Sequence, residues 1–320
     1  MKKFNIKFYQ HRKIYILISL AIFAVGLLFN LIGGVELDIN FRGGALVQYS
    51  YTGEVDQETV EEAVETAIGK SVEVTITDGI GGTESGSVNT LNVSLSGSDG
   101  ISLDEQKAIA SELSKAYPDS EFEVIQSSSV PPTMGAKFFA KCLVAVALAA
   151  VLLVIYVALR FRKIGGMSAG VMAVVALLHD VLMVYFTFVI FRFPIDDNFI
   201  AVVLTILGYS LNNTIVVYDR VRENKKKLGP KVSYEDLMNL SLNQTLGRTL
   251  LTSVTTFLAL VVVLVVALIF NISTVVTFAL PMMAGVGAGC FSSECIAPNL
   301  FAMWQIHKRQ QMDAAKGGKN

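Results

Sequence analysis

Charge is scarce in this sequence: of 320 residues only 17% are Asp, Glu, Lys or Arg, against roughly 25% in a soluble globular chain. Hydrophobic residues make up 52% and the mean hydropathy is +0.54. The shortage excludes one ordinary water-soluble domain, and the apolar excess excludes disorder. Cysteine is scarce as well. Cys142, Cys290 and Cys295 all fall inside apolar runs, which excludes a disulfide framework, and no CxxC or Cys/His spacing suggests zinc. There are three histidines. Neither GxxxxGK[ST] nor GxSxG is present, so nucleotide hydrolysis and serine-hydrolase chemistry lack their motifs. No enzymatic activity, cofactor or metal is expected, and no nucleic-acid partner.

What is abundant is long uncharged runs. A bilayer core of about 30 Å needs about 20 apolar residues in a helix. Residues 14–35, 142–159 and 198–218 carry no charge, and 164–191 carry only His179 and Asp180. Residues 249–293 hold 45 uncharged positions, too many for one span, and the polar triplet Asn271, Ile272, Ser273 divides them. The chain is therefore read as six transmembrane helices. The first run is too long for a signal-peptide core and lacks an A-x-A site, so it reads as an uncleaved anchor.

Lys and Arg concentrate at the N-terminus, at 160–163, over 219–248 and at the C-terminus, which together hold 19 of the 26. By the positive-inside rule both termini and both of those loops are cytoplasmic. An even number of spans returns the chain to its starting side, in agreement. The opposite side receives residues 36–131, with 18 acidic and four basic residues. The division expected is a cytoplasmic N-terminus (1–13), helices at 14–35, 136–160, 164–191, 198–218, 249–270 and 274–304, an extracytoplasmic domain (36–131), a cytoplasmic loop (219–248) and a cytoplasmic tail (305–320).

Within 36–131, Ala45–Tyr51 is rich in strand formers, Asp56–Ile68 has helical apolar spacing, and Ser71–Thr77 and Thr90–Leu95 alternate as half-buried strands do. The stretch 78–88 is Gly/Ser-rich and reads as a flexible hairpin loop. Ser102 with Glu105 forms a capping box for a helix ended by Pro118. Glu121–Gln126 supplies a last strand with Phe122 and Val124 on one face. The order β-α-β-β-α-β predicts a ferredoxin-like α+β domain. No nucleophile has a base beside it there.

Ionisable groups inside a membrane are costly and default to functional candidates. At 1.5 Å per residue, His179 and Asp180 lie roughly 24 Å from the cytoplasmic face, and Asn212 and Asn213 roughly 22 Å in from the outside. Asp219 and Arg248 fall at the inner interface. Glu294 is a lone carboxylate after 45 uncharged residues; it must pair or face water, and its depth matches Arg248, so an ion pair between them is expected. Gly285, Gly287 and Gly289, with Ala284 and Ala288, form a small-residue face for close helix packing. The basic run Lys225–Lys227 reads as a plain positive-inside determinant, the alternative being contact with anionic lipid headgroups or another protein component.

The stretch Gly208–Asn224 (GYSLNNTIVVYDRVREN) resembles the fourth-helix signature of the SecF family, GYS-x-ND-T-x-VV-x-DR-x-REN, through Gly208, Tyr209, Ser210, Thr214, Asp219, Arg220, Arg222, Glu223 and Asn224. Ser241–Ser253, with Arg248, is similar to that family's next element. Asp38–Gly44 (DINFRGG) resembles its DF-x-GG element through Asp38, Phe41, Gly43 and Gly44, with two extra residues, and His179-Asp180 matches the third-helix HD. The resemblance implies a six-helix half of an RND-type assembly in the bacterial cell membrane. It pairs with SecD and is accessory to the SecYEG channel with its SecA ATPase, drawing on the ion-motive force to help move a translocating preprotein outward. One charge moved through 100 mV is worth about 2.3 kcal/mol, enough to drive a domain between two positions.

One position departs from the family pattern. The signature's Asn-Asp is Asn212-Asn213 here, and an amide neither takes up nor releases a proton. Coupling then rests on the SecD partner's carboxylate, which ranks first, or has moved to Asp180 or Glu294, or this half is structural. The amide oxygens could also ligate Na⁺, a weaker possibility. Two competing functions stand beside the translocase subunit. A small-molecule exporter would need more bulk than one outer domain of about 95 residues. A structural scaffold would tolerate neutral replacements of Asp180, Arg248 and Glu294 together.

Overall fold

A computed structural model describes residues 5–35, 37–53, 55–77, 89–95, 101–118, 120–130, 132–229, 232–270 and 272–317. The stretch 78–88, expected as a hairpin loop, and Asn271 lie outside the described residues. Among the described residues, six helices are long and apolar enough to cross a membrane. They are α1 (Arg12–Gly33), α5 (Pro132–Arg160), α6 (Gly166–Ile190), α7 (Asp197–Leu228), α8 (Tyr234–Ile269), and a composite of α9 (Ser273–Phe291), a π-helical turn (Ser292–Ile296) and α10 (Ala297–Gly317). The long uncharged stretch does divide where the polar triplet places the break, between Ile269 and Ser273.

The helices overrun the lengths read from charge. Helix α7 continues past Asp219 to Leu228, and α8 begins at Tyr234, so most of the basic segment 219–248 is helix around a short turn. Charge marks where a helix leaves an apolar medium, and it does not end the helix: the i→i−4 ladder continues into water when propensity and caps allow. Ser233 supplies the cap here, its hydroxyl accepting from the Asp236 N–H at 3.0 Å.

Helices α6 and α7 form the centre, with 50% and 56% of their most apolar windows buried, against 11% or less for α1, α5 and α8. Helix α6 packs on α1, α5, α7 and α9. The expected small-residue face works at two of three glycines. A Cβ at Gly285 would meet Ile206 at 2.6 Å, and one at Gly289 would meet the Ser210 Cβ at 3.1 Å, so α9 and α7 approach as closely as backbone permits; a Cβ at Gly287 meets nothing within 4 Å.

Between α1 and α5 lies the α+β domain: β1 (Gly44–Tyr51), α3 (Gln57–Ile68), β2 (Glu73–Thr77), β3 (Asn89–Leu95), α4 (Leu103–Ala116) and β4 (Glu123–Val130). The sheet order is β2-β3-β1-β4, antiparallel throughout, the split arrangement that the β-α-β-β-α-β order predicts. Strands β1 and β3 alternate buried and half-buried positions, and Val47, Tyr49, Val60, Val64, Leu91, Ile109 and Leu113 form their core with α3 and α4. The predicted capping box closes α4, with Ser102 Oγ accepting from the Glu105 N–H and Glu105 from the Ser102 N–H. The last strand differs in detail. Phe122 stacks on Tyr51 just before β4 begins, while Val124 is largely exposed on an edge strand. Val124 pairs opposite the buried Tyr49, so it lies on the core face but at the sheet's margin.

Candidate functional site

Helix α6 carries His179 and Asp180 in succession, and both are buried, Asp180 completely. Consecutive residues on a helix point about 100° apart, so the pair reaches neighbours on two sides. His179 Nδ1 meets Asp180 Oδ1 at 2.9 Å, and its Nε2 meets Ser19 Oγ of α1 at 3.0 Å. Asp180 Oδ2 accepts from Ser210 Oγ of α7 at 2.5 Å and from Ser292 Oγ of the π-helical turn at 2.7 Å. The carboxylate therefore ties α6 to α7 and the π-helical turn, and His179 adds α1, so the pair joins four of the six spans. The imidazole lies between Phe23 and Phe291, with centroids 5.2 and 6.1 Å away, which fixes its plane and keeps water off its faces.

The π-helical turn that brings Ser292 to Asp180 has a cause in sequence. Pro298 has no N–H to give the Glu294 carbonyl, and its ring crowds that carbonyl. The helix widens instead of breaking. The Asn299 side chain donates to the Cys295 carbonyl at 2.7 Å, adding a bond across the end of this turn. Ser292, Ser293 and Glu294 are all buried, enclosed on every side.

Glu294 does not pair with Arg248, contrary to the expectation from depth. Arg248 is exposed and lines a cleft of about 1380 Å³ with Arg160, Arg162, Asp219, Arg220, Arg222, Glu223 and Lys226. Matching depth on two helices does not fix the rotation of either, and Arg248 points away. Both Glu294 oxygens are buried with no hydrogen-bond partner, and the Thr249 hydroxyl is the polar group beside them. The Asn213 Nδ2 is a second buried polar atom without a partner. Asn212, by contrast, is exposed on the outer face of α7 in line with Leu204, Thr205 and Gly208.

The other residues of the Gly208–Asn224 stretch connect α7 to its neighbours. The Tyr209 hydroxyl donates to Ser253 Oγ of α8 at 2.8 Å, and Asn224 Nδ2 to Ser241 Oγ at 2.9 Å. Thr214 Oγ1 donates to the Ser210 carbonyl at 3.2 Å. Asp219 sits between Arg160 of α5 at 3.2 Å and Arg222 at 2.9 Å, an interfacial ion pair, and Arg220 bridges to Glu223 at 2.6 Å. Lys225 donates to the Tyr234 hydroxyl at 2.8 Å.

The Asp38–Gly44 segment forms the joint between α1, the α+β domain and α5. Phe41, in the short helix α2 (Ile39–Arg42), is buried against Phe138 and Phe139 of α5. Gly44 has φ +139°, and a Cβ there would lie 2.2 Å from the Leu95 carbonyl oxygen; Gly43 has φ +79° and lies under Gly135 of α5. A side chain at Gly44 would force β1 from β3, one at Gly43 would be strained by its positive φ, and one at Gly135 would push α5 off the joint. The Asp38 N–H donates to the Ile195 carbonyl at 3.1 Å, tying this joint to the turn before α7. Asp196 in that turn caps α7 and accepts from the Phe199 N–H at 3.1 Å; burial first, then the negative charge of Asp38, raises its pKa above the ordinary aspartate value.

Ser19 and Ser292 carry two corners of the polar cluster, and neither was singled out from the sequence. A serine in an apolar helix raises no charge signal. Their only signature is helical position, which becomes informative once the packing partner is known.

Residues 109–307 match the family described as protein export membrane protein SecD/SecF, C-terminal. The chain is 32% identical to the protein translocase subunit SecF of Sebaldella termitidis, over 99% of this chain and 97% of that one. The chain belongs to the SecD/SecF family. It is also 32% identical to SecF of Thermobaculum terrenum over 95% of its length, and 31% identical to the SecDF protein of Bacillus subtilis, of which it spans 38%. A crystal structure of SecDF from Thermus thermophilus, a translocon-associated membrane protein, superposes with a TM-score of 0.77 at 29% identity, covering 95% of this chain and 39% of that one. The chain thus spans nearly all of the separate SecF relatives and about two fifths of the fused ones. With six apolar helices in this family, it is a multi-pass membrane protein.

Proposed function

We propose that the protein is the SecF half of a Sec preprotein translocase accessory complex. It pairs with a SecD-type half beside the SecYEG channel and acts after SecA, using the ion-motive force to help draw the preprotein outward. The α+β domain stands on the extracytoplasmic side and both termini are cytoplasmic, a reading supported by the bias of basic residues toward one side of the spans. The observation that carries the ion-coupled reading is the Asp180 cluster. A fully buried carboxylate holding α7 and the π-helical turn to α6 by side-chain hydrogen bonds, and α1 through His179, is a group whose rearrangement must move helices. Helix α1 leads to the α+β domain through the joint at Phe41, Gly43 and Gly44, which packs on α5, so a helix shift has a route to that domain.

Pairing with a second half is supported by Asn212. An amide facing hydrocarbon is costly, and the stripe Thr205, Gly208, Asn212 offers small and polar groups to another helix. The test is reconstitution with SecD, SecYEG and SecA, with completion of preprotein translocation measured with and without a proton or sodium gradient. Stimulation by a gradient only when this chain is present supports the reading. Equal completion with and without the gradient refutes it.

A further inference from the structure

We propose that Glu294 is this chain's own proton-binding carboxyl, standing where Asn213 cannot act, and that the Asn213 amide is the donor that holds its ionised form. This deepens the ion-coupled reading and rests on it for its purpose, though not for its chemistry. The two groups are the telling pair. Asn213 Nδ2 is a buried donor with no acceptor at bonding distance, and Glu294 Oε1 and Oε2 are buried acceptors with only the Thr249 hydroxyl beside them; the residues are 4% and 3% exposed.

They share a face and a level: Tyr209, one turn before Asn213, bonds Ser253 of α8, and Thr249, one turn before Ser253, lies beside Glu294. Helix α7 and the α9–α10 composite run side by side: Ser210 lies against Gly289, and the Tyr218 hydroxyl approaches the Ala297 carbonyl at 3.5 Å, a pair 79 residues apart in sequence. On that register Asn213 stands level with Ser292, about 3 Å along the axis from Glu294. The carboxyl absent from α7 is thus present within a turn of its place, on the neighbouring helix. The π-helical turn makes room for it.

No cation holds this carboxyl among the described residues. The titratable groups packed around it are Cys290 and Cys295 on its own helix, Asp180 and His179 across Ser292, and Tyr15 of α1 beside Cys295. Helix α8 contributes Thr249, a neutral hydroxyl, and its Arg248 points into the exposed cleft. A buried carboxylate without a counter-ion is costly, and such a group resolves the cost by taking up a proton. The step is a plain exchange: a hydronium ion from one face gives its proton to a Glu294 oxygen, and the acid later returns it to water opening from the other face. Between those events the anion is held by the Asn213 N–H. Proton occupancy then alters the contact between α7 and the π-helical turn, the same two elements that Asp180 ties to α6.

The test is infrared difference spectroscopy of the full chain in lipid vesicles stepped between about pH 8 and about pH 5. A carbonyl band of a protonated carboxyl should grow on acidification and be missing in Glu294→Gln. Adding Asn213→Asp to Glu294→Gln should restore a titrating band, now from α7. Asn213→Leu with Glu294 intact should move the titration to higher pH, because the anion loses its donor; this arm stands even if Glu294→Gln does not fold. Identical difference spectra for wild type and Glu294→Gln, or a Glu294 band present at every pH, would overturn the proposal. A titrating Glu294 band with no gradient effect on translocation would leave this assignment intact and defeat the ion-coupled reading. A gradient effect without the band would do the reverse and leave coupling to Asp180 or to the partner.

Discussion

Replacing Asp180 by Asn and by Ala separates hydrogen-bond count from charge. In the wild type three donors converge on the carboxylate: His179 Nδ1–H, Ser210 Oγ–H and Ser292 Oγ–H. Ala deletes every acceptor and strands all three. Bonds between side chains within a membrane bundle are worth on average about 0.6 and at most about 1.7 kcal/mol each. The expected loss is therefore about 2–5 kcal/mol, less than the same bonds would suggest in a water-soluble core. At about 2 °C per kcal/mol for a chain of this size, the midpoint should fall by roughly 4–10 °C.

Asn preserves the count. Its oxygen takes the place of Oδ2 and accepts from both serines. Its nitrogen takes the place of Oδ1 and donates to His179 Nδ1, which shifts the ring proton to Nε2. That N–H donates to Ser19 Oγ, whose own hydrogen goes to the Tyr15 carbonyl at 3.3 Å. Only the second amide hydrogen is left over, so the loss should stay within about 1 kcal/mol. The assay is thermal unfolding in detergent followed by a thiol-reactive dye at Cys142, Cys290 and Cys295, all only partly exposed in the fold. If Asn costs as much as Ala, the negative charge and not the hydrogen-bond count holds the helices. If Ala costs nothing, the cluster does not join them at all.

Gly26→Ala should destabilise by about 1–3 kcal/mol in the same assay, because a Cβ there would lie 2.3 Å from the Phe186 ring and force α1 off α6; Gly208→Ala, whose Cβ meets nothing within 4 Å, should be neutral or slightly stabilising. Glu105 is held down at about 2 by hydrogen bonds from Lys70 and Ser102. A lowered carboxylate stabilises the fold above its unfolded value of about 4.3 and loses that contribution as pH falls towards about 2; being near the surface it is worth at most about 1 kcal/mol. Amide protection across Leu103–Ala116 should therefore weaken over that window, and less so in Glu105→Gln. Asp196 is shifted the opposite way, by burial and Asp38: its folded form binds a proton more readily than its unfolded form, so its contribution fades as pH rises through the aspartate range. Asp196→Asn, which keeps the cap on α7, should stabilise at neutral pH and lose that advantage in acid, read as the pH dependence of the unfolding midpoint.

Much of the architecture was legible because it is written in local patterns. A helix satisfies its own backbone, so lipid requires only length and apolarity, and both can be counted along the chain. The α+β domain announced itself through period-two alternation in Leu91, Val93 and Leu95 and through the Ser102–Glu105 box, each a contact within a few residues. The Asp180 pair and Glu294 stood out because charge is rare in apolar runs. Their partners did not. Ser19 and Ser292 are ordinary in sequence, and Arg248 seemed the natural mate for Glu294 until its rotation on α8 turned it to the cleft. Depth along a helix follows from residue number, but azimuth depends on which face its neighbours accept. The sequence by itself therefore determined how many helices there are, where the domain lies and which polar groups sit within apolar runs. The tertiary structure alone decided which of those groups meet, because hydrogen bonds between helices depend on rotation and register that only packing sets.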